Sequence, residues 1–286
     1  MISVILPTYN RASRLTRAIR SIQHQTLQPQ EIIVVDDGST DDTAAVVSEM
    51  ANDCSFPIEL IHQANRGAAA ARNRGICAAR YPYLSFLDSD DWWLPHKLEK
   101  QFQAMSSHTQ FLVSHTREIW YRRGVRVNQK KKHDPPHGDI FIPSLQMCMV
   151  GMSTVMVRRE TFTRFGLFDE RLPCCEDYEL WLRIGAHEEF LLVPEQLICK
   201  DGGREDQLSY QYRLGMDVYR IEALCRLLAN HSLATGQKQL VLEELSRKCT
   251  IYGNGCMKHG RPGEGNYYLS LPGQIAQSLE TASQDG

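Results

Sequence analysis

Over residues 1–91 the chain alternates short apolar runs with stretches of helical spacing. Residues 2–6 are apolar and rich in β-branched side chains, and the run stops at Pro7 and the polar Thr8, Tyr9 and Asn10. That pattern predicts a buried strand followed by a loop. Leu15, Ala18, Ile19 and Ile22 recur on one face of a helix. Glu31 to Val35 is a second strand, closed by Asp36, Asp37, Gly38 and Ser39. Ser39 or Thr40 is the expected cap of the next helix, which carries Ala44, Val47 and Met50. Residues 58–61 predict a third strand, 67–80 an Ala-rich helix and 83–87 a fourth strand ending in Asp88, Ser89, Asp90 and Asp91.

Strands alternating with helices predict an α/β fold with a mostly parallel sheet and right-handed crossovers. Ligands in such sheets lie beyond the carboxyl ends of the strands. Here those ends are Thr8-Tyr9, Asp36-Asp37 and Asp88 to Asp91, so the polar clusters are expected to converge on one crevice. The second half is less regular. Residues 122–139, rich in Arg, Lys, Pro and Gly, read as a solvated loop, 152–157 as a strand, 159–165 as a helix and 176–184 as another. In the last of these Tyr178, Trp181 and Leu182 share a side, and Trp181 is expected in the core. Leu208, Val218, Ile221, Leu224 and Leu228 predict one long amphipathic helix, and Leu245, Cys249, Tyr252 and Cys256 a second. Residues 281–286 are expected to fray.

Composition adds exclusions. The 286 residues are 42% hydrophobic and 23% charged, with a formal net charge of -2, which argues against a disordered chain and gives no reason to expect a nucleic-acid partner. No stretch has the roughly 18 apolar residues that a membrane span requires, and the opening residues lack the basic region of a signal peptide. Nine scattered cysteines without a Cys-x-x-Cys read as reduced thiols in a cytoplasmic protein. A metal, if held, is held by oxygen.

The acidic residues carry the chemistry. Asp88 and Asp90 follow a buried strand and project alike if the extended backbone continues. Two carboxylates aimed into one crevice repel unless a cation lies between them, and Mg²⁺ is suited to one or two carboxylates completed by water and phosphate oxygens. The alternative is that these aspartates cap the following helix, expected to carry Trp92, Trp93, Leu94, Leu98 and Phe102, a task assigned here to Asp91. Asp36 and Asp37 can accept hydrogen bonds from a ribose hydroxyl or a base N–H, beside the flat ring of Tyr9, or simply build a turn. No dinucleotide-binding fingerprint and no P-loop is present, which leaves phosphates to the metal and to Arg66 or Arg72.

These segments together, with Asn65-Arg66-Gly67 through Arg72-Asn73, residues 152–158, Gly166 to Asp169 and Glu176 to Trp181, resemble the family 2 inverting glycosyltransferases over roughly residues 1–210. The resemblance implies a GT-A fold, the Rossmann-like nucleotide-diphospho-sugar transferase architecture, with residues 1–110 as nucleotide-binding half and 111–204 as acceptor-binding half. Residues 205–286 are then a helical C-terminal region. It implies a nucleoside-diphosphate sugar donor, UDP-linked by preference, and a divalent cation, Mn²⁺ or Mg²⁺. Pro7, Thr8, Tyr9 and Asp37 would hold the base, Arg66, Arg72 and Asn73 would line the nucleotide pocket, Asp88 would face ribose or metal, and Asp90 would ligate the metal. Asp177 would be the general base, with Glu176 as second choice, although an acidic pair at a helix N-terminus is also ordinary capping chemistry.

Arg204 stands where relatives often carry a histidine: either water replaces that third metal ligand, or Arg204 takes over part of the charge neutralisation by contacting the diphosphate. Lys130 to Lys132 read as a solvated loop, the alternative being contact with an anionic membrane surface or a lipid-diphosphate acceptor. The C-terminal helices offer a platform for a homodimer or partner. The acceptor, whether glycan, lipid-linked or small, stays open, as does peripheral attachment at the inner membrane face during surface-polysaccharide assembly. Competing readings are an Asp-x-Asp phosphatase and an inactive nucleotide-sugar-binding scaffold.

Overall fold

The computed structural model describes residues 1–230 and 233–284. Strands β1 (Ile2–Thr8), β2 (Glu31–Asp36), β3 (Ile58–His62) and β4 (Tyr83–Phe86) form the parallel half of the sheet. Helices α1 (Ala12–Gln23), α2 (Thr43–Asn52) and α3 (Ala68–Ala78) connect them. Strand periodicity sorts the side chains: Ile2, Val4 and Leu6 pack with Leu15, Ile19 and Val47, whereas Ile5 packs with Ala69, Ala71 and Ile76. The helices therefore cover both faces. β1 sits between β2 and β4, with Thr8 opposite Asp36 and Ile5 opposite Phe86, so three polar loops leave the sheet side by side.

The rest of the sheet is mixed. β5 (Trp92–Trp93), β6 (Val113–Arg122), β7 (Val125–Val127), β8 (Met156–Arg158) and β9 (Phe190–Gly202) extend it in the order β3-β2-β1-β4-β8-β6-β9-β5, with β7 paired to β6. Several segments differ from the sequence reading. Trp92 and Trp93 form a strand against Cys199 and Ile198 rather than opening a helix. Pro95 keeps Leu94 out of helical backbone, and α4 (Lys97–Ser107) starts beyond it. Within 122–139, β6 and β7 turn through Arg123 and Gly124, both at positive φ as a tight hairpin requires. Residues 152–154 make a 3-10 turn, and only Met156–Arg158 is strand. The 13-residue β9 escaped notice because Pro194 lies where its register against β6 shifts. Asp41 accepts from the Thr43 amide at 3.1 Å, displacing Ser39 and Thr40 from the expected capping role.

Helices α5 (Phe141–Gln146), α6 (Glu160–Phe165) and α7 (Glu176–Gly185) flank this part of the sheet. α7 is buried all round. Leu180, Trp181 and Ile184 join the sheet-side core, while Tyr178 and Leu182 join a third cluster with Phe141, Ile221, Leu224, Val241 and Leu245. That cluster is built by α9 (Met216–Asn230), α10 (Thr235–Lys258) and α11 (Pro262–Gln284). The expected single helix from Leu208 is broken, since α8 (Leu208–Gln211) is separated from α9 by Gly215 at φ 105°. α11 is helical through Gln284, and the fraying expected for 285–286 lies outside the described residues. All nine cysteines are free thiols, and among the described residues no helix is long and apolar enough to cross a membrane.

One core residue makes acid stability predictable. His115 on β6 is fully buried, its ring 6.2 Å from Phe190, and burial pushes its imidazole down from 6.5 to about 4. The unfolded chain takes up that proton as pH falls through the ordinary value, while the folded chain resists until about pH 4. Stability present above pH 6.5 is therefore lost on acidification, by up to about 3 kcal/mol from this group. Urea titrations of wild type and His115→Gln across that window should show the wild type losing more stability, whatever the variant's starting level.

Candidate active site

A cavity of about 890 Å³ opens where the parallel strands end. Pro7, Thr8, Tyr9, Asp37, Arg66, Arg72, Asp88, Asp90, Glu176 and Asp177 all line it. Carboxylates from three separate strand and helix ends thus share one space. Tyr9 is 47% exposed and presents its ring at the edge, whereas Thr8 beneath it is buried, with a hydroxyl that has no hydrogen-bond partner.

Asp36 does the turn work. Its oxygens accept from the Ser39 amide at 2.9 Å and meet His62 Nδ1 at 3.0 Å. Asp37 points into the cavity wall. One oxygen accepts from the Arg66 amide at 2.9 Å and Gln63 Nε2 at 2.7 Å, the other from the Gly67 amide at 2.8 Å. The loop that enters α3 is pinned by these bonds. Arg66 crosses the cavity rim to Glu170 at 2.7 Å.

Arg72 is buried on α3 between two carboxylates, with one guanidinium nitrogen on Glu176 and another 2.8 Å from Asp88. Burial works against its charge, yet Asp88 and Glu176 hold it more firmly protonated than a free guanidinium. Glu176 itself is shifted upward by burial, with the Asp177 charge adding to that and Arg72 opposing it. Asn73 differs from the expectation. Its amide donates to the Phe168 carbonyl and to Glu170, both at 2.9 Å, and accepts from the Phe168 amide at 3.0 Å. It braces the loop before α7 and does not line the cavity. Asp177, half-buried, accepts from the Tyr178 amide through Oδ1 at 2.7 Å. Just before this pair, Cys175 is held at φ 63°, an uncommon conformation for a residue with a side chain.

The acidic triplet after β4 is neutralised in three ways. Asp88 takes Arg72. Asp90 pairs with Arg204 and accepts from Gln207 Nε2 at 3.2 Å, with Arg11 3.9 Å away. Asp91 does not cap a helix. It is buried, accepts from the Ser153 hydroxyl at 2.7 Å, and is pushed up by burial and then by the Asp90 charge. Arg204 thus lies on the Asp90 carboxylate, where it neutralises part of the acidic cluster, and not on the cavity wall. Sequence reasoning missed Arg11, Glu170, Lys200 and Gln207 as site residues; Lys200 and Gln207 flank Arg204 in one stretch, and Arg11 and Glu170 come from two others.

These residues can accommodate a divalent cation. Asp88 Oδ2 and Asp90 Oδ1 have no hydrogen-bond or ion-pair partner among the described residues, which leaves one oxygen on each carboxylate. No cluster of three or more His, Cys, Asp or Glu side chains converges there or elsewhere among the described residues. Such a cation would need water and phosphate oxygens to complete its shell, as Mg²⁺ and Mn²⁺ tolerate.

Comparison with known proteins places this geometry. The sequence pattern of the family described as Glycosyl transferase family 2 matches residues 3–165. An uncharacterized glycosyltransferase of Rickettsia felis is 38% identical over 204 residues, covering 68% of this chain and 32% of that protein. The chain spans about a third of the length of the first curated relatives it matches. The UDP-Glc:alpha-D-GlcNAc-diphosphoundecaprenol beta-1,3-glucosyltransferase WfgD of Escherichia coli is 31% identical over 200 residues, 70% of this chain and 75% of that one. Residues 1–349 of S. aureus TarS, in complex with UDP-GlcNAc, superpose with a TM-score of 0.76 at 19% identity, over 97% of this chain and 81% of that one. The mannosyltransferase PcManGT of Pyrobaculum calidifontis, in complex with GDP-Man and Mn2+, superposes with a TM-score of 0.65 at 16% identity, over 99% and 79%. At these identities the structural likeness concerns the fold, which is GT-A.

Replacing Arg72 by Met leaves Asp88 and Glu176 facing each other without a cation, and should cost about 3–5 kcal/mol near neutral pH. Glu176, already raised by burial, then loses the cation that opposes that shift, so the deficit grows as pH rises and shrinks as it falls. Urea unfolding at pH 5 and 7.5 checks both the size and the direction.

Proposed function

This chain belongs to glycosyl transferase family 2, and we propose that it transfers a sugar with inversion from a nucleoside-diphosphate sugar to an acceptor hydroxyl, with metal assistance. UDP is the preferred nucleotide in this reading. Support comes from the UDP-Glc in the name of the E. coli relative and from the UDP-GlcNAc bound by TarS. One observation carries the proposal: Asp37, Asp90 and Asp177 line a single cavity.

The base and the ribose fit beside Pro7, Thr8, Tyr9 and Asp37, where an exposed ring and a buried unpartnered hydroxyl lie next to a carboxylate. Asp88 and Asp90 would hold a divalent cation. Bound there, it would supply Lewis acidity to the departing diphosphate; PcManGT, of the same fold, is in complex with Mn2+. Arg204 already lies on Asp90, and we assign it a diphosphate contact only after it leaves that carboxylate. Arg72 is a positioning residue, since both faces of its fork are taken by Asp88 and Glu176.

The same pairing selects the base. Glu176 is tied to Arg72, whereas Asp177 spends Oδ1 on its own helix and lines the cavity with the Cys148 thiol as its side-chain neighbour. Asp177 accepts the proton of the acceptor hydroxyl while that oxygen attacks the anomeric carbon from the face opposite the diphosphate. The bond to the diphosphate oxygen breaks, and the leaving group takes the electron pair without needing a proton.

Asp177→Asn should lower kcat by about 10²- to 10⁴-fold while nucleotide affinity stays within about twofold. Asp90→Ala should instead abolish the enhancement of UDP binding by Mn²⁺, read by calorimetry. Full transfer by the Asp177 variant, measured as UDP release from a UDP-sugar with acceptor present, would overturn the base assignment.

A further inference from the structure

A second cavity of about 390 Å³ meets the first and shares Cys148, Asp177, Lys200, Ser209 and Arg220 with it. Both volumes fall in the range typical of small-molecule sites. The second is walled by β6, by the loop after β7 and by residues 147–151. We propose that this cavity binds the acceptor's sugar and that the acceptor carries a phosphate-linked group read by the basic strip at residues 122–132. The inference rests on the reading of Asp177 as base, because Asp177 stands at the junction.

The sugar assignment comes from the wall. Trp120 and His133 lie with ring centroids 5.0 Å apart, offering aromatic surface for the C–H face of a pyranose. Trp120 Nε1 donates to Glu118 Oε2 at 2.6 Å, which fixes both side chains. Glu118 Oε1 is buried and accepts no hydrogen bond. The nearest cation, Lys200 Nζ, is 3.9 Å away, close enough to hold that ammonium more firmly protonated but too far to donate. On the donor side, the Nε of Arg220, another lining residue, is buried and unpartnered. A ligand rich in hydroxyls both donates and accepts, and so satisfies both kinds of group. Gly151 keeps the space open, because a Cβ there would lie 2.3 Å from Glu118 Oε1.

The phosphate assignment comes from the rim. Gln129 and His133 line the cavity, and between them Lys130, Lys131 and Lys132 are exposed. Arg122, Arg123 and Arg126, also exposed, extend the strip along the hairpin. The one carboxylate following it, Asp134, is taken by Arg117 at 2.6 Å. A sugar seated against Trp120 with its anomeric phosphate directed outward would meet this uncompensated positive charge.

The test titrates short-chain alkyl glycosyl diphosphates of glucose, galactose and N-acetylglucosamine, and the matching neutral alkyl glycosides, into protein saturated with UDP and Mn²⁺. At least one diphosphate should bind about tenfold or more tighter than its neutral counterpart. Trp120→Ala and Glu118→Gln should each weaken both members of that pair about tenfold, with Trp120→Phe recovering part of the loss. The triple change Lys130→Ala, Lys131→Ala, Lys132→Ala should remove only the advantage of the diphosphate. UDP affinity and the unfolding midpoint should hold throughout, as the check on folding. Failure of every probe to bind at millimolar concentration overturns the proposal, as does displacement of the probes by UDP. If the triple variant loses binding to vesicles containing anionic phospholipid but keeps its diphosphate preference, the strip is a membrane contact and the phosphate reading falls. Retained transfer by Asp177→Asn alongside this binding pattern would instead defeat the base assignment and leave the subsite standing.

Discussion

The fork of Arg72 joins parts of the chain that are far apart in sequence. It projects from α3, and it holds Asp88 at the end of β4 and Glu176 at the start of α7. Without that buried cation the two carboxylates would repel, and α7 would lose the contact that aligns its N-terminus with the sheet. Pairing has a second consequence. Glu176 is occupied by Arg72, while the adjacent Asp177 has no arginine on its carboxylate among the described residues and lines the cavity.

Crowding of negative charge is the recurring cost of this site, and the fold meets it locally. Asp88 is balanced by Arg72 and Asp90 by Arg204, while Asp91 is buried against Ser153 where burial favours its protonated form. Asp37 is used differently again, its oxygens absorbed by backbone amides of the loop that starts α3. A diphosphate and a cation would enter a site whose arginines are already engaged, so binding exchanges ion pairs instead of creating them in open solvent.

Placement of α7 depends on both sides of that helix. Leu180, Trp181 and Ile184 press on the sheet, and Tyr178 and Leu182 on the helices after residue 215. The C-terminal helices therefore share a core with the helix that carries Glu176 and Asp177. Much of their apolar surface is spent on this packing, which makes them a support for the site as well as a surface.

How much was legible in the sequence follows from the range of the forces involved. The parallel strands and their helices, the polar clusters at strand ends and the family itself are written in local periodicity and short motifs, because burial of alternate residues acts within a few positions. β5, the hairpin of β6 and β7, and β9 were not legible: β5 is only two residues long and is made a strand by the remote Ile198 and Cys199, β6 and β7 carry basic residues, and β9 contains a proline that masks the pattern. Asp37, Asp88, Asp90 and Asp177 were singled out from the chain alone, and the fold brings all four to one cavity. That Asn73 braces a loop, that Arg204 rests on Asp90 and that Glu176 is consumed by Arg72 were decided only by tertiary structure. A side chain's chemistry is local, but its partner is chosen by whichever group the folded chain brings within hydrogen-bonding reach.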